Sequence, residues 1–369
     1  MPRPKKSTKE AVSIINAETL IEQYLQDHKG DHYNFEEERS YTVSSGSLLL
    51  DIEMGGGIGP GIIRASGVAE GGKTSCALAF ARNFQKMDNA MVVYVKSEGR
   101  LSKVMIERAG LDTDPRKWQI YKSNIFESVN DFMKHLVKNC KDTRFMFIVD
   151  SMDSLVLRND LERPFDESDK VAGGSLITSV FLKKMALALT TRGHICFMIS
   201  QVRATVNLNP YDRGDPKLTN ASGGNALLHY SDWILEFQQK YKGDLIVQPS
   251  KIKDKKEDII GHWCKVIFRK TPNEKTGSLV KYPICYGRKD GKSIWSEYEV
   301  VDMLLAFEMA QKSGAWVAMS DEIIKEVKEN TGEELKKQHQ GVDNLKKFFE
   351  ENEKIGKYLF KKFRETLKR

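Results

Sequence analysis

The sequence predicts an α/β fold with a central, mostly parallel twisted sheet, a helix before it and a small α+β unit after it. Short apolar stretches that suit buried strands alternate with amphipathic helical stretches between residues 62 and 200. A glycine-rich turn joins the first of these strands to the first helix. Because strands that alternate with helices pair in parallel, this pattern predicts one α/β core.

Composition divides the chain into three regions. Residues 1–39 hold a polar, basic start, a helical pattern over 11–25 and a charged linker over 26–39. Residues 40–288 carry the alternating pattern and form the predicted core. Residues 289–369 form a basic C-terminal domain. A chain of this length is expected to have one large core with smaller appendages.

The elements of the core follow one another in a regular order. Strands are predicted at 62–65, 90–96, 145–150 and 194–200, and helices at 75–84 and 128–139. Several glycines at 55–61 precede the first strand and indicate close backbone packing there. Two polar stretches, 158–174 and 202–222, are long enough to predict functional or disordered loops.

The turn after the first strand reads GVAEGGKT, with Gly67, Gly72, Lys73 and Thr74 in the spacing of a phosphate-binding loop. Its glycines allow backbone N–H groups to surround a triphosphate at a helix N-terminus. Lys73 supplies a cation and Thr74 a hydroxyl for Mg²⁺. A chance glycine-rich turn is the alternative, and the flanking strand and helix argue against it. The motif therefore predicts a site for a triphosphate and Mg²⁺.

Polar side chains follow the other strands at the edge where α/β sheets build their sites. Glu98 follows the second strand, Asp150 ends the third in the form of a Walker B acid, and Gln201 follows the fourth. Gln201 could report the state of a bound nucleotide. Glu98 could instead be a solvated acid, and Gln201 an ordinary surface glutamine.

Net charge, cysteine usage and the distribution of apolar residues limit the classes of protein to which this chain can belong. Lys and Arg number 58 against 51 Asp and Glu, so the net charge of +7 permits a polyanionic partner without requiring one. The five cysteines stand singly and are typical of a reduced, intracellular protein. The N-terminus lacks the apolar segment of a signal peptide, and no apolar run approaches the ~18 residues of a membrane span. We expect a soluble, cytoplasmic protein with no membrane partner.

A series of motifs resembles the bacterial RecA family of homologous-recombination ATPases. The series begins with SSGSLLLDI at 44–52, GVAEGGKT and the Glu98 strand. It continues with VDS at 149–151, SQVR at 200–203, GGNAL at 223–227, KVIFRK at 265–270, ICYG at 284–287 and SGAW at 313–316. Order and spacing match from about residue 42 to the C-terminus. Low overall identity indicates a divergent member, of the kind carried by a phage or plasmid.

The resemblance implies a RecA-like P-loop NTPase core and a set of nucleotide residues. Glu98 falls on the catalytic carboxylate that orients the attacking water, with Lys73 and Gln201 completing the catalytic set. Thr74 and Asp150 would hold the metal. The implied nucleotide contacts are Gly67, Val68, Ala69, Glu70, Gly71, Gly72, Lys73, Thr74, Ser75 and the adenine-side Tyr286, with Arg269 and Lys270 reaching ATP across a protomer interface.

The resemblance also implies DNA binding and self-assembly. Stretches 158–174 and 202–222 fall on two loops that grip single-stranded DNA without reading its sequence, with Val206 as an apolar wedge between bases. The DNA residues implied are Gly173, Arg203, Val206, Arg213, Lys217, Gly223, Gly224 and Asn225. Implied partners are single- and double-stranded DNA, further copies in a helical filament joined through the N-terminal helix, and accessory single-strand-binding and loader proteins.

The implied function is ATP-dependent pairing and exchange of homologous DNA strands, with DNA-stimulated ATP hydrolysis. Several departures keep alternatives open. Phe268 replaces the first of two interface lysines, with adjacent Arg269 as the candidate substitute, and Leu228 and His229 replace a Lys-Phe pair. Lys96 replaces an acid and Met105 a tyrosine near adenine. One alternative is a DNA-binding filament protein with weak ATPase activity, and another is a ring-forming helicase or motor ATPase.

The C-terminal 29 residues predict an amphipathic helix pair. From residue 341 to 369, nine Lys or Arg accompany five acids, interleaved with aromatic and aliphatic residues. The apolar residues are expected to form a core. The acidic tail usual in the family is absent, so the resemblance implies that the lysines capture duplex DNA with little dependence on high Mg²⁺.

Overall fold

The computed structural model describes residues 16–99, 101–161, 173–201, 228–250 and 256–366. In the core, the helices are α1 (Ala17–Asp27), α2 (Leu48–Glu53), α3 (Lys73–Phe84), α4 (Lys103–Ala109), α5 (Phe126–Asn139), α6 (Arg158–Leu161) and α7 (Gly173–Thr191). The strands are β1 (Gly61–Gly67), β2 (Ala90–Lys96), β3 (Trp118–Tyr121), β4 (Arg144–Asp150), β5 (Ile195–Ile199), β6 (Trp233–Phe237), β7 (Leu245–Pro249), β8 (Glu257–Lys270) and β9 (Leu279–Cys285). The four predicted core strands and two predicted core helices are present, within a few residues of their expected bounds.

Among the described residues these strands form one mixed sheet in the order β3-β2-β4-β5-β1-β6-β8-β7, with β9 also paired to β8. The six strands from β3 to β6 are parallel, and the three remaining strands add antiparallel pairs at one side. Lys96 pairs with Asp150, and Ala65 pairs with Ile199. The carboxyl ends of β1, β2, β4 and β5 therefore meet at one edge, as an α/β core requires.

Helices cover both faces of the sheet because strand residues alternate in direction. Ile63, Met146 and Phe197 pack with Phe80 and other residues of α3 in one buried cluster. Their sequence neighbours point to the opposite face, where Ile62, Phe147 and Cys196 pack with residues of α5 and α7. Two apolar layers thus hold the strand ends, and the site they carry, in fixed positions.

The C-terminal part has its own core. It comprises α8 (Ser296–Ala306), β10 (Ala310–Ser313), β11 (Trp316–Met319), α9 (Asp321–Thr331), β12 (Gln338–Gln340), α10 (Gly341–Glu351) and α11 (Glu353–Thr366). The three strands form an antiparallel sheet. In α10 and α11, Phe349, Ile355, Leu359 and Phe363 are fully buried, so the predicted apolar face of the helix pair is confirmed.

A buried acid joins this C-terminal part to the core. Glu299 of α8 accepts hydrogen bonds from the Ser47 hydroxyl and, at 2.8 Å, from the Leu48 amide at the start of α2. Leu48 also lies within the C-terminal apolar cluster. The two parts consequently share both an apolar and a polar contact.

All five cysteines are free thiols. Cys76, Cys196 and Cys264 are buried, and burial raises the pKa of the Cys264 thiol to about 11. Over the described ranges, no helix combines the length and apolar character that a membrane span needs.

Candidate nucleotide site

The phosphate-loop motif lies where the sequence predicts it, between buried β1 and α3. Gly67 has φ +137°, and a Cβ there would lie 2.2 Å from the Phe237 carbonyl oxygen. Gly72 has φ +104°, and a Cβ would lie 3.2 Å from the Cys264 sulfur. Glycine is required at Gly67 because β6 passes directly against the loop. The loop is thereby fixed against the sheet with its concave side at the N-terminus of α3.

Lys73 is held inside this loop. Its Nζ donates to the carbonyl oxygens of Gly67 at 2.9 Å and Val68 at 2.7 Å, and the residue is 8% exposed. The ammonium and the backbone amides at the start of α3 put positive charge on the same side of the turn. This cradle of glycine backbone, helix terminus and lysine fits the phosphates of a nucleotide.

Asp150 at the end of β4 faces the start of α3. Its Oδ2 accepts a hydrogen bond from Thr74 Oγ1 at 2.7 Å and another from the Tyr94 hydroxyl at 2.6 Å. Burial and the adjacent Asp150 charge both raise the pKa of Tyr94, so the phenol remains a donor. A hydroxyl beside a carboxylate is an oxygen donor set that suits Mg²⁺. Thr74 and Asp150 are therefore the residues that would hold the metal.

Glu98 and Gln201 reach the same cavity from neighbouring strand ends. A cavity of about 200 Å³ is lined by both, together with Lys73, Thr74 and Asp150. Glu98 Oε1 accepts a hydrogen bond of 2.5 Å from the Ser151 hydroxyl. The structure thus brings together all five of these polar residues from separate parts of the chain.

Two charged residues at this site escaped the sequence analysis. Asp153, in the turn after β4, accepts a hydrogen bond of 2.6 Å from the Gln201 backbone amide. Arg64, in the middle of β1, is 2% exposed, and its Nε donates to the Ser200 hydroxyl at 3.2 Å. An arginine within an otherwise apolar strand is the available sequence signal, because a buried charge requires specific partners.

A second, larger cavity adjoins the loop. It has a volume of about 660 Å³ and shares Glu70, Gly72, Ser75 and Met105 with the first cavity. Tyr286 lines it, and its ring lies 5.4 Å from that of His262 and 6.0 Å from Lys240 Nζ. A cavity of this size with an aromatic wall is large enough for a nucleoside.

The predicted interface residues lie at the end of β8 and are paired within the chain. Arg269 donates two hydrogen bonds to Glu236, at 2.8 and 3.1 Å. Lys270 Nζ donates to the carbonyl oxygens of Leu228 and His229. Phe268, on the same strand, is fully buried. Its ring packs edge-to-face on that of Trp233, with 5.6 Å between the ring centroids.

Most of the predicted DNA residues lie outside the described part of the chain. Gly173 is the first residue of α7, and residues 158–161 of the first predicted loop form α6. The others, namely Arg203, Val206, Arg213, Lys217, Gly223, Gly224 and Asn225, belong to the stretch 202–227 that the structure does not describe.

Comparison with known proteins gives consistent matches. The family model of the RecA N-terminal domain matches residues 28–272. A protein named Protein RecA from Rickettsia africae is 26% identical over 311 residues, covering 84% of this chain and 83% of that protein. Its namesake from Bacillus mycoides is 26% identical over 322 residues, covering 87% of each. The similarity therefore extends over most of the chain at low identity.

Proposed function

Because the chain is a divergent member of the RecA family, we propose that it is an ATP-dependent recombinase that assembles on single-stranded DNA and exchanges homologous strands. The observation that carries the proposal is the convergence of the phosphate loop, Glu98, Asp150 and Gln201 on one cavity. A glutamine at a strand end within a triphosphate site can respond to the bound nucleotide. It can therefore link the nucleotide state to the residues that follow it, here 202–227.

Each residue has a role that follows from its position. The loop 67–75 would wrap the phosphates of ATP, with Lys73 turning from its loop carbonyls to the phosphate oxygens. Thr74 and Asp150 would hold Mg²⁺, which neutralises charge on the phosphates when bound. Glu98 would accept a proton from the attacking water, and the Ser151 hydroxyl would orient its carboxylate. Gln201 would hydrogen-bond the terminal phosphate.

DNA binding is assigned to the stretches that follow the nucleotide site. Residues 158–174 and 202–222, with the glycines and asparagine at 223–225, would contact the phosphate backbone of single-stranded DNA. Gly173 would lie at the end of the first stretch, and Val206 would enter between bases. Such binding is sequence-tolerant and salt-dependent. We place the protein in the cytoplasm, where DNA and ATP are both present.

Assembly would complete the nucleotide site from a neighbouring copy. Tyr286 would lie on the adenine side, and Lys270 and Arg269 would reach ATP bound to the adjacent protomer. Within the chain, Arg269 forms a bidentate, partly buried pair with Glu236, and Lys270 donates to two carbonyl oxygens, so both cations would give up these contacts for phosphate oxygens. ATP would then bind two protomers together and so favour the filament.

A weaker ATPase of the same assembly is the second candidate, and the burial of Phe268 favours it. A buried phenyl ring at this position supplies no charge across an interface, which leaves Arg269 and Lys270 as the cations available at the end of β8. The rate of DNA-stimulated phosphate release separates the two candidates. A robust rate excludes the weak ATPase, whereas a negligible rate with intact DNA binding supports it.

The principal test is the formation of D-loops from a single-stranded oligonucleotide and a homologous supercoiled duplex. We expect ATP-dependent products with the wild type and none with Lys73→Ala. The control Lys138→Ala removes an exposed lysine of α5 and should behave as the wild type. Absence of strand invasion by the wild type would overturn the recombinase proposal.

Electron microscopy separates recombination from a ring-forming motor. In the presence of single-stranded DNA and a slowly hydrolysed ATP analogue, we expect helical filaments. Closed rings would instead support a helicase or motor ATPase with the same core.

A further inference from the structure

The turn 150–154 contacts three of the polar residues that line the nucleotide cavity, namely Thr74, Glu98 and Gln201. Asp150 accepts from Thr74 at 2.7 Å, and Ser151 donates to Glu98 at 2.5 Å. Asp153 accepts from the Gln201 amide at 2.6 Å. Residues of one short turn therefore contact the Thr74 hydroxyl, the candidate base Glu98 and the backbone of Gln201, which directly precedes residues 202–227.

Hydrogen bonds within and beside the turn hold these contacts together. Ser154 Oγ lies 2.8 Å from the Ser151 carbonyl oxygen and 2.7 Å from Ser97 Oγ, and its single proton can be donated to either acceptor. Ser97 Oγ donates to the same Ser151 carbonyl at 2.8 Å. Because Ser97 directly precedes Glu98, the turn is tied to the end of β2 as well as to the end of β5. A displacement of the turn would move all of these groups together.

Asp153 makes the contact that reaches Gln201. A carboxylate that accepts from a backbone amide forms a charge-assisted hydrogen bond, which is stronger than a bond between neutral groups. Its other oxygen, Oδ1, is buried and has no hydrogen-bond partner among the residues that the structure describes. The carboxylate is therefore directed at the Gln201 backbone and has spare accepting capacity beside the nucleotide cavity.

Arg64 interacts with residues on both sides of this contact. It donates to the hydroxyl of Ser200, the residue before Gln201, and it is almost completely buried in β1. Burial lowers the pKa of Arg64, and the neighbouring Asp153 carboxylate raises it, so the two charges interact. Opposite charges buried near one another compensate part of each other's desolvation. The cation thus lies close to the carboxylate that accepts from the Gln201 amide.

We propose that Asp153 is a positioning residue that fixes Gln201 to the turn 150–154, with Arg64 as its counter-charge, and so transmits nucleotide state to residues 202–227. This inference rests on the proposed function of Gln201 as the phosphate sensor. A nucleotide that shifts Asp150 or Glu98 displaces the turn, and the Asp153 hydrogen bond carries that displacement to the Gln201 backbone. Such coupling requires a physical connection between the two sites, and this hydrogen bond provides it.

Amide hydrogen exchange at Gln201 tests the contact directly. Asp153→Ala removes the acceptor, so exchange at Gln201 should accelerate by about 10- to 100-fold, the range expected for loss of a hydrogen bond to a charged group. Asp153→Asn retains an acceptor oxygen and should restore most of the protection. The control Asp142→Asn removes an exposed acid before β4 and should change nothing. Unchanged exchange in Asp153→Ala would overturn the inference.

A double-mutant cycle tests the role of Arg64. Arg64→Met should accelerate Gln201 exchange in the wild-type background and have little further effect in Asp153→Ala, because the two residues act through one contact. Arg64→Lys, which keeps the charge, should restore part of the protection. Additive effects of the two substitutions would contradict the assigned pairing.

Single-stranded DNA affinity tests the coupling. In Asp153→Ala, the ratio of affinities measured with a slowly hydrolysed ATP analogue and with ADP should fall by about tenfold or more, while affinity for a fluorescent ATP analogue stays within about twofold. Lost Gln201 protection with an unchanged ratio would overturn the coupling. If the DNA affinity of the wild type were the same with the ATP analogue and with ADP, the proposed function would be refuted. The hydrogen-exchange result would still decide whether Asp153 positions Gln201.

Discussion

Phe268 is a single side chain whose position in the sequence and whose position in the fold suggest different roles. The resemblance places it where the family has an interface lysine, yet the ring is fully buried against Trp233. We expect Phe268→Ala to lower the free energy of unfolding by about 3–5 kcal/mol, because it leaves a cavity beside β6. Urea unfolding measures this loss.

The matched control for that substitution is Phe35→Ala. Phe35 is 46% exposed and sits in the stretch before the core. Removing an exposed ring should change the free energy of unfolding by about 1 kcal/mol or less. Equal losses for the two variants would contradict a structural role for Phe268.

Glu98 is the residue whose replacement should separate binding from hydrolysis. Glu98→Gln keeps the size of the side chain and an acceptor for the Ser151 hydroxyl but cannot take a proton. We expect the DNA-stimulated rate of phosphate release to fall by about 10²- to 10⁴-fold, with nucleotide affinity nearly unchanged. Glu107→Gln, which alters an exposed acid of α4, serves as the control. A wild-type rate in Glu98→Gln would remove Glu98 from the catalytic role.

At the scale of elements, α1 is a helix without a partner in the described chain. It has no buried residue, and Leu20, Ile21 and Tyr24 are 50%, 60% and 62% exposed. A helix of eleven residues is marginal in isolation, so an apolar face of this kind requires a docking surface. The prediction that the N-terminal helix joins protomers accounts for this exposure.

We expect the double substitution Leu20→Ser and Ile21→Ser to shift self-association to higher protein concentration by about tenfold or more, since it removes apolar area from the interface. Sedimentation velocity with an ATP analogue measures the shift. Gln23→Ser, on the same helix, should leave assembly unchanged. Normal assembly of the double variant would exclude α1 from the interface.

The helices α10 and α11 carry the lysines predicted to capture duplex DNA, and many of these are paired with acids. Lys357 lies 2.9 Å from Glu353, Lys361 lies 3.8 Å from Glu365, and Lys362 pairs with Glu326. Lys357 and Lys361 are largely exposed, so their pairs are worth little and remain exchangeable for phosphate. The capture of duplex DNA by these lysines therefore stays a prediction.

The dependence of duplex affinity on salt tests this prediction. If the lysines contact phosphates, duplex affinity should fall by at least about tenfold between 50 and 200 mM salt. Lys357→Ala with Lys361→Ala should reduce both the affinity and the slope, whereas arginine at both positions should preserve them. Little salt dependence in the wild type would exclude electrostatic duplex capture.

At the scale of the whole molecule, the junction between core and C-terminal part should respond to pH. Glu299 is 0% exposed, and burial raises its pKa from the ordinary 4.5 to about 8. Asp51 on α2 is also buried and its pKa is raised for the same reason. Both acids bind protons more tightly in the folded state than in the unfolded chain.

Stability should therefore fall as pH rises through this range. The contribution of Glu299 is fully present below pH 4.5 and is lost progressively up to about pH 8, at up to about 1.4 kcal/mol per pH unit. Glu299→Gln, which stays neutral and can pair with Ser47 and Leu48, should flatten this decline in urea unfolding between pH 6 and 8. Parallel declines for the wild type and the variant would contradict the assignment.

Much of the core and the site can be predicted from the sequence because their signals are local. Apolar stretches of strand length set β1, β2, β4 and β5, and the GVAEGGKT motif carries its own backbone requirements. The polar residues after these strands meet because parallel strands share one edge. Glu98, Asp150 and Gln201 could thus be assigned to one site without coordinates.

The tertiary structure decided what depends on contacts between distant residues. The contact between Asp153 and Gln201 joins residues 48 positions apart, and that between Glu299 and Ser47 joins residues 252 positions apart. No periodic pattern in the sequence predicts either contact. The burial of Phe268 likewise depends on β6 and Trp233, which only the sheet order brings beside it. By itself the sequence determined the candidate nucleotide site, since strand, turn and helix are set by neighbouring residues. The polar connections around that site needed the fold, because their geometry comes from packing across the sheet.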